Sequence, residues 1–183
     1  MTVVVITPPQ PLVSIDDAKD HLRVTDNDED ALIESYVAAA SAWIDGPAGW
    51  LGRAIGEQTL EVRSNVFSGC EPLPYGPAAS IASVKYIDPQ GVEQTVDPAR
   101  YQIIAGNLAP VGDFAWPSHR GDADGVCVQY VVGSKTIPPQ VRQAVLLLVG
   151  QWFRHRMAIN VGNVINNLPF GVDALLNPLR RFR

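Results

Sequence analysis

Cysteine and histidine are scarce in this chain, and long apolar runs are missing. Its 183 residues hold two cysteines, Cys70 and Cys127, and three histidines. The cysteines lie far apart in no ligand-like spacing, which points away from a disulfide framework and from a zinc site. Both are expected to be reduced and structural. No stretch approaches the roughly 18 apolar residues that a membrane span needs. The opening MTVVVITPP has no basic flank and is broken by Pro8 and Pro9, too early for a signal peptide. The expectation is a chain that is cytosolic when made and meets no membrane.

Recognisable catalytic motifs are also missing. There is no GxSxG, no HExxH and no phosphate loop of the GxxxxGK[ST] kind. His21, His119 and His155 fall at a helix end, in a loop and on a helix beside two arginines, with no nucleophile motif next to any of them. Two acidic stretches, DNDED at 26–30 and GDADG at 121–125, look like calcium loops and fail the pattern. The first has Ala31 where the sixth-position glycine belongs and Val37 at the twelfth position, and the second reaches Gly133 at the twelfth. They read as a helix start and a tight turn. No catalytic residue, cofactor or metal ligand is assigned.

Charge is sparse and unevenly placed. Charged residues make up 18% of the chain against 46% hydrophobic, with a net charge of −5, which is little charge for a monomer that must solvate its whole surface. Residues 1–34 carry eight acids against Lys19 and Arg23, whereas residues 135–183 carry seven bases against Asp173. Oppositely charged ends attract other copies or a charged partner, or compensate each other within one domain.

The length suits one domain with its own core. Ser14 and Asp17 mark the start of a helix over 15–22. The segment DEDALIESYVAAASAWI places Leu32, Ile33, Tyr36, Val37, Ala40, Trp43 and Ile44 on one face of a helix over 28–44, with Asn27 as its cap, and Gly46, Pro47 and Gly49 end it. From 57 to 132 the texture turns to β-type runs (TLEVRSNVF, SIASVKYID, YQIIA, VCVQYVV) between turn clusters such as DPQG, implying an antiparallel meander or small barrel. Pro139 then opens the helix PQVRQAVLLLVGQWFRHRMA. Its apolar surface is wider than one stripe, as befits a central core helix or one that also meets a neighbouring subunit. INVGNVINN reads as a polar loop, and PFGVDALLNP as a short last helix stopped by Pro178. Trp43 and Trp152 are in phase with helix cores; Trp50 and Trp116, in Gly/Pro-bearing loops, are candidate subunit contacts, as are Arg154 and Arg156.

The order SIDDAKDHLRV…DNDEDALIESYVAAASAWI, then SIASVKYIDPQG, then VRQAVLLLVGQWFRHR, then LPFGVDALLNPLR resembles the head–tail connector (adaptor) proteins of long-tailed bacteriophages and of phage-derived gene transfer agents. The likeness covers roughly residues 12 to 180, with GPAGWLGRAIGEQ expanded and RHRMAINVGNVINN less acidic than that pattern. It implies an α+β fold: a bundle of about four helices with an inserted β region at 57–132, in a single connector domain spanning 1–183 with a docking tail at 169–183. It implies a structural, non-enzymatic role in a ring, dodecameric in the particle, beneath the portal vertex. Such a ring extends the DNA channel, lets DNA pass without specific binding, and joins capsid to tail through the next neck protein. The expected location is the virion or particle neck, assembled in the bacterial cytoplasm. On this resemblance Phe170, Val172, Leu175, Leu176 and Leu179 are apolar anchors for the portal, Arg180, Arg181 and Arg183 meet its acceptors, and Phe182 fills a pocket. The acidic helices 15–22 or 28–44 would face the channel. The alternative reading is an oligomeric DNA-handling protein of phage packaging, using RHR (154–156) and RRFR (180–183) on phosphates.

Overall fold

The computed structural model describes residues 1–70, 72–155 and 170–181. The chain divides into two compact units, one of Met1–Pro9 with Arg53–Lys135 and one of Gln10–Gly52 with Thr136–Arg183.

The first unit is built on β-strands. Five of them, β1 (Thr2–Thr7), β2 (Gln58–Ser64), β3 (Ala78–Ile87), β4 (Glu93–Thr95) and β7 (Val126–Val132), form an antiparallel sheet in the order β1-β2-β7-β3-β4. The strands β5 (Tyr101–Ile104) and β6 (Asn107–Pro110) pair separately as a hairpin. The sheet is open, so the barrel alternative is not realised. Nor is it a plain meander, because β7 inserts between β2 and β3. The N-terminal strand, which had no place in the expected 57–132 insertion, supplies one edge.

Period-two patterning sets the core. Along β7, Val126, Val128, Tyr130 and Val132 are buried while Cys127, Gln129 and Val131 are half-buried. Register aligns Val128 with Val62 on one side and Val84 on the other, so one face of the sheet is continuous aliphatic surface. The buried Tyr130 hydroxyl donates to the Pro74 carbonyl at 3.0 Å, which satisfies its one polar atom. The other face carries a polar ladder in which Arg63 Nε and Gln129 Nε2 donate to the two oxygens of Glu61 at 2.6 and 2.7 Å. The DPQG turn joins β3 to β4: Asp88 Oδ1 accepts from the amides of Gln90 and Val92 at 3.0 and 2.9 Å, and Gly91 takes the positive φ the turn requires. GDADG is a tight turn, with the Gly125 amide donating to the Asp122 carbonyl.

The second unit is helical: α1 (Ile15–Leu22), α2 (Asp30–Ile44), α3 (Pro139–Arg154) and α4 (Phe170–Leu176), followed by a 3-10 turn at Asn177–Leu179. Helix α1 begins as expected, with Ser14 accepting from the Asp17 amide at 3.1 Å. Helix α2 starts two residues later than expected and Asn27 is not its cap. Lys19 Nζ takes the Asn27 side-chain oxygen at 2.7 Å and bonds Asp30 at the same distance, so the ammonium wins the oxygen that a free amide would have used. Ile33, Val37, Ala40 and Ile44 form the buried face of α2, while Trp43 and Trp152 are half-buried, flanking the core instead of filling it.

Helix α3 is the centre of this unit. It packs against α1, α2 and α4, and Val141, Ala144, Val145, Leu146, Leu148 and Val149 are buried along it. Its wide apolar surface is therefore largely covered by its own neighbours in the chain. Arg142 on α3 pairs with Asp17 on α1 at 2.5 Å, so the oppositely charged parts of the sequence do meet within one copy. The hydrogen bond from the Ser14 hydroxyl, with Arg142 beside it, holds the Asp17 carboxyl below its ordinary range against the opposing effect of partial burial.

Candidate functional site

The C-terminal segment lies on a shelf made by the exit of α2. Beyond Ile44 the chain turns back on the helix: the Trp50 amide donates to the Trp43 carbonyl at 2.8 Å and the Leu51 amide to the Ile44 carbonyl at 3.2 Å. Gly49 is required in this turn because a Cβ there would fall on the Asp45 backbone. The fold-back stacks Trp50 on Trp43, with ring centroids 5.9 Å apart and planes 20° from parallel.

The tail closes onto this shelf through a backbone hydrogen bond and a cation–π contact. The Arg181 amide donates to the Leu51 carbonyl at 2.9 Å, and the Arg180 guanidinium sits 4.1 Å above the Trp50 ring, a cation held over the negative face of an indole. Gly52, at φ +65°, allows the approach, since a Cβ on it would stand 2.6 Å from the Arg181 carbonyl oxygen. Upstream, Val172 and Leu176 are both 0% exposed, Leu175 and Leu179 are half-buried, and Arg181 is exposed. Two of the proposed portal anchors, Val172 and Leu176, are thus already covered by the chain that carries them, and hydrophobicity there is explained without a partner. Phe170 begins α4. Phe182, Arg183 and Arg156, and the INVGNVINN loop, lie outside the described residues.

The candidate subunit contacts fall in different places. Trp50 belongs to the shelf. Trp116 belongs to the sheet unit, where it stacks on Phe67 with centroids 4.7 Å apart and planes at 6°, while His119 meets the same Phe67 ring edge-on at 5.3 Å. His119 Nε2 is 3.1 Å from the Asn65 carbonyl, and Arg100 lies over Phe114, itself against Trp116. This cluster pins the long loop after β6 to the sheet. Arg154 is exposed in the last turn of α3, where positive charge suits the helix dipole. Leu51 and Gly52 were not singled out from sequence, and Trp43 was read there as a helix-core position. Glycines at 46, 49 and 52 around two aromatic residues were the available sign of a folded-back turn, but its occupant comes from far along the chain.

Acid remains on the surface of the helical unit. Asp16, Asp20, Asp26, Asp28 and Glu34 are exposed, while Asp17 and Asp30 are engaged with Arg142 and Lys19. An open groove of about 460 Å³ runs between the start of α1 and α2, lined by Pro11, Val13, Ile15, Val37 and Ala38 with Glu34 at its side. Among the described residues no group of three or more His, Cys, Asp or Glu side chains is placed to hold a metal ion, and no helix is long and apolar enough to cross a membrane.

Comparison with solved structures gives likeness along the whole chain. The chain is similar to one in the neck of an empty GTA particle computed with C6 symmetry (24% identity, TM-score 0.74) and to one in the virion of a native gene transfer agent (GTA) particle (24%, 0.75). It is similar also to one in the neck of a native GTA particle computed with C12 symmetry (23%, 0.74); each match covers 100% of this chain and 97% of the other. No curated protein sequence matches. The family model described as "Head completion protein" matches residues 11–181. That span takes in both the shelf and the tail that rests on it, and the chain belongs to the head completion protein family.

Proposed function

We propose that this protein is a structural head–tail connector of a tailed phage or gene transfer agent. Copies of it form a ring under the portal that extends the DNA channel and links capsid to tail. The observation that carries this reading is the family match from residue 11 to residue 181. Fold likeness to chains of gene transfer agent necks supports it. The ring has the cyclic symmetry of the particle neck, in which each copy uses two different patches, one for each neighbour. Its partners are other copies, the portal protein and the next neck protein. It works by assembly and carries out no catalysis.

The tail docks to the portal through side chains other than the covered Val172 and Leu176. Leu175, Leu179 and Arg181, on the outer side of the α4 segment, make the contact together with Phe170, Phe182 and Arg183. Val172 and Leu176 hold the segment on its own unit. Arg180 and Trp50 set its path. Repetition around a ring turns a weak single contact into a firm one through effective concentration. The exposed acids of α1 and α2 face the channel and repel the DNA phosphates that pass.

Deleting residues 169–183 tests the docking role by counting capsids joined to tails. Joining should fall to background, and a Leu175→Asp, Leu179→Asp chain, which keeps the buried Val172 and Leu176 in place, should lose joining while it remains folded by circular dichroism. Normal joining by the truncated chain would refute it.

A further inference from the structure

We infer that β1 is an exchangeable strand: in the assembled ring, Thr2–Thr7 of one copy occupies the β2 edge of the next copy in place of that copy's own β1. This rests on the ring reading above and specifies one of its contacts.

The strand is attached lightly to the sheet it completes. Of its six residues only Val3 is half-buried, packed against the sheet unit's core, and the others are exposed. Val4, Val5 and Ile6 stand 38%, 40% and 45% open. What holds β1 is its antiparallel ladder to β2, which runs from Thr2↔Arg63 to Val5↔Leu60 and then shifts before Thr7↔Thr59. The irregularity falls at Ile6, two residues before Pro8 and Pro9. Proline has no amide to give a ladder, so pairing cannot continue past it. The link onward, Pro8-Pro9-Gln10-Pro11, favours an extended and stiff conformation with a reach of roughly 12 Å.

The occupant of the β2 edge is known from the edge itself. It accepts an uncharged, β-branched strand in one antiparallel register, and the sequence TVVVIT seated there shows the fit. Every copy carries the same segment. Exchange replaces each contact by an identical one, so the choice between closed and exchanged forms depends on the linker and on local concentration. In a ring that concentration is high. The donated strand and the accepting edge are different surfaces of one copy, so repeated donation is heterologous and closes by rotation. The opposite edge of the sheet, β4, is three residues long and bears Glu93 paired with Lys85; it is guarded in the way edge strands usually are, and β1 is not.

The test uses the register pair Thr7 and Thr59, distant in register from Cys127, which is opposite Arg63. One chain carrying Thr7→Cys and another carrying Thr59→Cys are co-expressed during particle assembly, the necks are oxidised, and the products are separated without reductant. The parent chain, with Cys70 and Cys127, sets the background. A covalent dimer above that background is expected, because only a strand delivered between copies brings the two thiols together. A chain carrying both substitutions should give a ladder of covalent multimers. Intact rings with no dimer from the mixture, and only internally bridged monomer from the double variant, would overturn exchange and leave the ring reading standing. If the parent chain forms no ring in assembled particles, both fall.

Discussion

Both described ends of this chain lie on the units that carry them, but different forces hold them there. The N-terminal strand TVVVIT is the more apolar of the two and is the more exposed, fixed by backbone hydrogen bonds to β2 with Val4, Val5 and Ile6 open to solvent. The C-terminal segment is richer in charge, yet Val172 and Leu176 are wholly buried, and Arg180 and Arg181 are tied to Trp50 and Leu51. Apolar content alone therefore misidentifies which end has surface to offer. A strand can be greasy and uncovered because its ladder holds it. A short helix without such a ladder to a neighbour stays in place chiefly by burying side chains.

The strongest way to break this contrast is Leu176→Ala. If α4 is held by burial, removing a wholly buried leucine should cost about 2–5 kcal/mol, the range for cavities that collapse incompletely. Chemical denaturation followed by helical circular dichroism measures it. A loss under 0.5 kcal/mol would mean that the segment is held by its Arg180 and Arg181 contacts instead, and the two ends would then be alike.

A smaller effect sharpens the other side of the comparison, because the strand that carries β1 depends on a charge. Burial pushes the Glu61 carboxyl up, but donation by Gln129 and Arg63 and the charges of Arg63 and Lys85 outweigh it, and the group titrates below its ordinary 4.5. A depressed carboxylate contributes stability that is fully present above the unfolded value and is lost as pH falls through the folded value. The sheet unit should therefore weaken as pH drops below about 4.5. Glu61→Gln, which keeps a polar partner for the ladder, should flatten that slope. An unchanged slope in the variant would place the acid sensitivity elsewhere.

The parts legible in sequence were those decided locally. Helix α1 needs Ser14, Asp17 and a few apolar residues, all within one turn or two of each other, and it runs over the expected residues. The alternation in VCVQYVV and the Pro139 start of α3 are equally local. What could not be read depends on contacts far along the chain. The Asn27 oxygen is captured by Lys19, and β4 and β6, at three and four residues, are too short to carry a pattern. The run in MTVVVITPP shows no alternation because five of the six residues of β1 are exposed and one is half-buried. At the site, the arginines and leucines of the tail were visible as candidates. Their division into covered Val172 and Leu176 and partly open Leu175 and Leu179 was not, because it depends on which face of α4 meets α3.

The smallest expected effect is at Val4, and it tests the contrast by being small. Val4 lies opposite Glu61 on the polar face of the sheet and is 38% exposed, so replacing it by threonine keeps the β-branch that suits a strand and changes one methyl for a hydroxyl that water can reach. Stability of the isolated chain should move by no more than about 0.5 kcal/mol, as for surface positions without special contacts. A loss above about 1 kcal/mol, the scale of a buried apolar group, would mean that the outer surface of β1 is covered even in a single copy. The N-terminal end would then be held by side-chain burial, as the C-terminal end is, and an easily released strand would lose its physical basis.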